Sequence, residues 1–522
     1  MPSSARSNWI VGAAVGALAL LIYWLTLAPT ITWRNDGADS GDLVTAAFTL
    51  GIPHPSGYPL YTLLAAAFAR LPFAEPARGV NLFSALCAAG AVVLFYIAAR
   101  ALAETNLAKV TNLRKDGFEA RFIAASVALV VAFMPLFWAQ AVLAEVYAFN
   151  ALLVAVLLAI LSSSAFSRIP VSSGNLAERG GTNWRVWLCA AIFGLGLAHH
   201  LSIMLLVPSA LLLLRGLPRT RNDILRALVV FLAPLLLYLY LPLRARADPP
   251  INWGDPRTLE NFWWTISAAP YRPYLFNFAF GDLGARVAVA ARELFVQFNG
   301  WGVALGLWGV AQMWTRARRQ CLAFALGFIL IAAYSIVYVT RDSFVYLIPA
   351  LMLFAGWIAF GLADLARRFS RAWMRGALIG VLLLLPGYNL IANFAAHDLS
   401  RDRQAFDYAR TIFAHAPNDA LILADGDAHL FALQYYRYVI APDARVDVVS
   451  AELLQYDWYY AKISRARVLG ARASEYGARL AQIVETNLNA GRAVYTTAQG
   501  GWFAGYKIQP EGEMFRIVER RR

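Results

Sequence analysis

Apolar runs of about 18 or more residues recur along this chain, and no other feature constrains its fold as much. Such a run has no place in a water-facing domain. It matches the roughly 20 residues that an α-helix needs to cross a bilayer. Runs of this kind lie near 9–29, 80–100, 121–138, 147–165, 225–243, 290–312, 320–340, 343–363 and 374–392. The composition agrees, with 59% hydrophobic and 15% charged residues and a mean hydropathy of +0.52. Soluble domains carry about 45–50% apolar and about 25% charged residues. A simple soluble enzyme and a disordered or fibrous chain are both excluded.

Charge resolves the topology. The formal net charge is +14, and the basic residues are mostly arginines in short segments between apolar runs. They read as topology signals rather than as a nucleic-acid surface, so no nucleic acid is expected. The stretch 186–214 is too long for one comfortable span. Arg179 and Arg185 precede it, and Arg215, Arg219, Arg221 and Arg226 follow it. If both flanks are cytoplasmic, the chain enters and returns, with His199-His200 at the turn of a short hairpin. The expectation is a polytopic α-helical membrane protein with about eleven membrane helices. Its N-terminus is cytoplasmic, and loops 30–79 and 244–289 lie outside. A bacterial inner membrane suits this pattern. The run 9–29 lacks a small-residue cleavage site and reads as a retained span. Cys87, Cys189 and Cys321 are scattered among apolar stretches and read as small buried hydrophobes.

The composition changes near 396. We expect a membrane domain over 1–395 and a small extracytoplasmic α/β domain over 396–522. In the latter, 420–424 and 446–449 look like buried strands, and 402–415 and 474–489 have helical periodicity. Asp425-Gly426-Asp427 follows the first strand, where open α/β sheets place ligands. No glycine-rich phosphate loop supports nucleotide binding, and no internal repeat is evident.

Chemistry-bearing residues gather in the outer segments. Asp39 and Asp42 stand three residues apart just after the first span, one face of a helix beginning there. They suit a general base pair, metal ligands if a metal is used, or simple helix caps. His54 and Tyr58 sit in a Pro/Gly-rich turn, and Glu145 in a very short outer turn close to hydrocarbon. At most one of His199 and His200 can face the same site. Arg244 and Arg246 end a span at headgroup level and suit a lipid phosphate. Asn252, Trp253, Asp255 and Trp263 combine rings with hydrogen-bonding groups, as a sugar platform does. A carrier would place ionisable groups mid-span. Here they converge on one face, which points to chemistry on a lipid-linked substrate.

Several motifs together resemble a known family. They are Asp39-Ser40-Gly41-Asp42-Leu43, His54-Pro55-Ser56-Gly57-Tyr58-Pro59-Leu60-Tyr61, Val80-Asn81-Leu82-Phe83-Ser84, Glu145-Val146-Tyr147, Leu241-Pro242-Leu243-Arg244 and Asn252-Trp253-Gly254-Asp255-Pro256. The family is the multi-pass proteins called domain of unknown function 2723, which include the transmembrane-protein-260 type of protein O-mannosyltransferase. Two departures are Asp42, where the family more usually has Glu, and Ser56, where it usually has Pro. The resemblance implies a GT-C type glycosyltransferase. Such an enzyme passes mannose or a similar hexose from a polyprenyl-phosphate donor to a protein or glycan acceptor. On that basis Asp39 is expected as the base of an inverting transfer, and Asp42 as its orienting partner or a ligand of a divalent cation, if one takes part. Arg244, Arg246, His54 and His200 are expected to hold the donor phosphate. Tyr58, Glu145, Asn252, Trp253, Asp255 and Trp263 are expected to touch sugar or acceptor. The alternatives are a lipid-linked sugar transporter that makes no bond and an outer-face scaffold.

Overall fold

The computed structural model describes residues 3–107, 117–162, 184–214, 217–218, 220–369, 371–465 and 476–520. Arg179, Arg215 and Arg219, which entered the topology argument, lie outside these. Six helices are long and apolar enough to cross a membrane: Asn8–Leu25, Pro76–Leu107, Arg221–Arg246, Phe280–Arg316, Arg318–Val337 and Ser343–Arg368. A seventh candidate is the pair Phe118–Ala132 and Pro135–Ala141, bent by 68°. The break has a local cause: Pro135 cannot donate a backbone bond, and it forces Met134 out of helical geometry (ψ 127°).

The sequence expectation of about eleven spans is met in length by fewer helices. Tyr147–Ser162, Trp184–Leu197 and Leu201–Leu213 are apolar but shorter. The stretch 186–214 does divide at His199-His200, between the last two of these. Ala372–His397 forms a further helix of 26 residues. The segment 30–79 is less a loop than expected, because Ser40–Thr49 and Pro59–Phe68 are helices and Pro76 already opens the next long one.

Burial separates a central bundle from its lipid-facing helices. Ser343–Arg368 is 94% buried over its apolar window and Arg221–Arg246 only 11%. The central helix packs tightly against Phe280–Arg316. A Cβ on Gly309 would collide with the Trp357 carbonyl, so only a small residue permits that approach.

Beyond His397 the chain forms a five-stranded mixed sheet. The strands are β1 (Leu421–Ala424), β2 (Asp447–Ser450), β3 (Val494–Thr496), β4 (Tyr506–Glu511) and β5 (Met514–Arg520), in the order β2-β1-β3-β5-β4. The first three are parallel and β4–β5 form an antiparallel edge. β1 is buried along its whole length because helices cover both faces of a parallel sheet. This part is docked firmly on the membrane part. Leu399 N–H donates to the Thr26 carbonyl (3.0 Å), and Glu75 accepts from the Tyr435 hydroxyl (2.9 Å).

Candidate active site

A cavity of about 840 Å³ opens where segments 33–58, 200–205, 267–275 and 338–346 meet the sheet domain. One charged wall is built from residues 33–58. Asn35 and Asp36 adopt left-handed backbone (φ 58° and 56°), which Asn and Asp tolerate best among residues with a Cβ. This tight turn delivers Asp39 to the start of helix Ser40–Thr49, pinned by mutual 3.2 Å bonds between Ser40 Oγ and the Thr32 backbone.

One turn further along that helix, Asp42 is fully buried and fully committed. It accepts from His54 Nδ1 (2.8 Å), the His54 backbone N–H (2.9 Å) and Trp253 Nε1 (3.2 Å). The other imidazole nitrogen of His54 faces Asp39 at 3.6 Å. Burial alone would lower the His54 pKa. The Asp39 charge and the bond and charge of Asp42 outweigh it and hold the ring protonated, up at about 10. Burial pushes Asp39 up to about 6, with His54 opposing and Asp342 and Asp42 adding. Asp39 lines the cavity with its side chain 36% accessible. It is thus a carboxylate poised near neutrality, oriented from behind and open in front.

Asp39 and Asp42, the expected ligands of any metal, share an imidazole between them. Both oxygens of Asp42 are taken. Among the described residues no group of three or more His, Cys, Asp or Glu could hold an ion.

The remaining expected residues separate into two sets. Tyr58 and His200 line the cavity with their rings stacked at 6.2 Å. His199 does not: it is fully buried, with Nε2 bonded to the Val146 carbonyl at 3.0 Å. Glu145 lies behind the wall, 3% exposed, and burial followed by the Asp39 charge raises its pKa well above the usual range. Trp253 is also behind, donating to Asp42. Arg244 is elsewhere. Its guanidinium donates to the Leu50 carbonyl (2.6 Å) and the Thr49 carbonyl (3.4 Å), tying off the end of helix Ser40–Thr49. Arg246 is exposed away from the cavity. Asn252 and Asp255 close their own turn (3.0 Å), and Trp263 points outward, 62% exposed. Neither these three nor the two arginines border the cavity.

The guanidinium groups that do border it are those of Arg272 and Arg341. Arg341 pairs with Asp36 at 3.3 Å, and Arg272 donates to Ser267 Oγ at 2.7 Å. Asp342 accepts from the Tyr147 hydroxyl at 2.9 Å, and Tyr271, Tyr334, Tyr338 and Tyr346 complete the wall. The sequence reading missed these. The signal was present in Thr340-Arg341-Asp342-Ser343, a charged break too short to be a solvated loop between two apolar runs.

The chain is similar to known proteins. Residues 39–221 match the family model described as the Protein O-mannosyl-transferase TMEM260 N-terminal domain. The chain is 28% identical over 508 residues to Protein O-mannosyl-transferase TMEM260 of Mus musculus, covering 89% of this chain and 66% of that protein. It is 21% identical over 495 residues to Protein O-mannosyl-transferase tmem260 of Dictyostelium discoideum, covering 84% and 57%. The chain therefore spans less than two thirds of the length of these TMEM260 relatives. Among solved structures, it resembles ArnT from Cupriavidus metallidurans bound to undecaprenyl phosphate, with a TM-score of 0.52, 13% identity and 97% of both chains covered. That likeness shows a shared GT-C-like fold: a helical membrane protein carrying a C-terminal mixed sheet.

Proposed function

We propose that the chain is a membrane glycosyltransferase that moves mannose or a similar hexose from a polyprenyl-phosphate donor to an acceptor hydroxyl, most naturally on a protein. The observation that carries this reading is Asp39, open to the cavity and held from behind by an imidazolium that Asp42 anchors. Asp39 takes the proton of the acceptor hydroxyl. The acceptor oxygen then forms its bond to the anomeric carbon as the bond from that carbon to the phosphate oxygen breaks, with inversion. Polyprenyl phosphate leaves with the electron pair, and Arg272 and Arg341 stabilise its charge.

The printed activity of the TMEM260 relatives supports the substrate class, and the undecaprenyl phosphate in the ArnT structure supports the donor class. The cavity volume fits a sugar phosphate, since small-molecule sites run to about 300–1,000 Å³. In this reading the membrane part is 1–395 and the outer domain 396–522. The shorter apolar helices bring the membrane helices to about eleven, with the N-terminus cytoplasmic and the cavity outside, in a bacterial inner membrane.

Incubating the purified protein with a panel of polyprenyl-phosphate sugars and acceptor peptides, with mass spectrometry of the products, tests the reading directly. A new glycosidic bond is expected, and Asp39→Asn should abolish it while leaving expression and lipid binding intact. Movement of lipid-linked sugar across liposomes without a new bond would favour a transporter instead.

A further inference from the structure

The sheet domain contributes a carboxylate to the cavity wall that the transfer step above does not use. Asp427 opens the helix Asp427–Tyr435 immediately after β1 and its Asp425-Gly426 turn. Three contacts fix its place. A Cβ on Gly41 would collide with the Phe431 carbonyl, so this helix lies directly on helix Ser40–Thr49. Trp33 Nε1 donates to the Ala428 carbonyl at 3.0 Å. The Phe431 ring stacks on His54 with 6.4 Å between centroids and 20° between planes. The sheet domain therefore cannot shift without disturbing the base and its imidazolium.

Around Asp427 stand Asp39, Asp42 and His54 from the first outer segment, Tyr271 from the second, and Asp425 and Glu452 from its own domain. Asp42 and His54 are occupied with each other. Among the described residues Asp427 makes no hydrogen bond or ion pair through its side chain. It is an acceptor-only group presented to an aromatic-walled space. That combination suits a hexose, whose hydroxyls donate to a carboxylate while its C–H face lies on a ring. The sugar rather than the acceptor is favoured by the order of groups. In an in-line transfer the hexose lies between the oxygen activated at Asp39 and the phosphate at Arg272 and Arg341. Tyr271, next to Arg272 in sequence, feels the charges of both Asp427 and Asp39.

We propose that Asp427 is a sugar-recognising residue, accepting hydrogen bonds from hydroxyls of the hexose carried on the polyprenyl phosphate, so that the C-terminal domain forms part of the donor site. This rests on the glycosyl-transfer reading above. Charge coupling adds a second consequence. Burial, then the Asp39 charge, pushes Asp427 up to about 6, and by reciprocity a charged Asp427 discourages ionisation of Asp39.

The test is equilibrium binding of polyprenyl phosphate and of polyprenyl-phosphate mannose to the purified full chain in detergent. The wild type should prefer the sugar-bearing lipid. Asp427→Asn should erase that preference by about ten- to hundredfold, leave affinity for bare polyprenyl phosphate unchanged, and move the acid limb of the pH–rate profile to lower pH. A purely structural role would weaken both lipids together. If the wild type prefers the sugar and Asp427→Asn keeps that preference, the inference is overturned while glycosyl transfer stands. It is overturned in the same way if the variant raises only the acceptor KM. A wild type that does not distinguish the two lipids overturns the glycosyl-transfer reading, and this inference with it.

Discussion

Two carboxylates at opposite ends of the bundle are treated in opposite ways. The central helix Ser343–Arg368 begins beside the cavity, after Asp342, and carries Asp364 near its other end. Asp364 is fully buried and surrounded: Arg316, Arg367 (3.0 Å), Arg368 (2.8 Å) and Trp308 Nε1 (3.2 Å) all donate to it. Among the described residues Asp39 has one neighbour of opposite charge, at 3.6 Å, and an open side. The difference separates a carboxylate that locks helices together from one left open to the cavity. A carboxylate whose lone pairs are all satisfied joins helices and has nothing left to accept a proton. One that is oriented but unfinished keeps that capacity.

The contrast can be broken most sharply at Asp39. Asp39→Asn should lower the transfer rate by about 10²–10⁴-fold, with no large fall in melting temperature; initial rates and a thermal scan in detergent measure both. Asp364→Asn should do the reverse. It leaves three guanidinium groups without their carboxylate and should cost about 3 kcal/mol of stability, read as a lowered melting temperature, while the rate per folded molecule holds. If Asp364→Asn lost activity without losing stability, the distinction would collapse.

Smaller effects sharpen it. Arg341→Ala should raise the donor KM about tenfold, because a charge-assisted hydrogen bond to phosphate is lost. Arg244→Ala, which frees only the Leu50 and Thr49 carbonyls, should leave donor KM within about twofold and cost about 1 kcal/mol of stability. Steady-state kinetics on both variants decides which arginine meets the lipid.

The smallest effect is on pH dependence. The wild-type rate should climb as pH passes about 6, where Asp39 loses its proton. His54→Gln removes the cation that holds Asp39 down, so this limb should move up by about one pH unit. Stability follows the same groups, and both give it up as pH rises, in different windows. His54 binds its proton more tightly folded than unfolded. Its contribution is complete below its ordinary 6.5 and fades as pH rises through about 10. Asp39 also holds its proton more tightly when folded, so ionising it between 3.8 and about 6 costs stability. A pH series of melting temperatures resolves both.

Local signals carried much of this into the sequence. The apolar runs specify helices and a bilayer because burial of that much surface has no aqueous solution. β1, β2 and the helices Gln404–His415 and Tyr476–Asn489 were legible from runs and periodicity, and Asp39, Asp42, His54 and Tyr58 from dense polar residues beside a span. Arg244 misled because headgroup level and helix end are the same for a lipid anchor and for a guanidinium that caps a neighbouring helix. Which one it is depends on where the Leu50 carbonyl lies, some 194 residues away in sequence.

By itself, then, the sequence determined the membrane class, the composition break near 396 and the carboxylate–histidine segment, all of which rest on residues close together in the chain. Tertiary structure alone decided that Asp42 serves His54 while Asp39 faces the cavity, that Arg272 and Arg341 supply its cations, and that Asp427 crosses from the sheet domain to stand beside Asp39. Each of these depends on long-range packing, such as Gly41 against Phe431, and a contact between segments almost 400 residues apart leaves no periodicity to read.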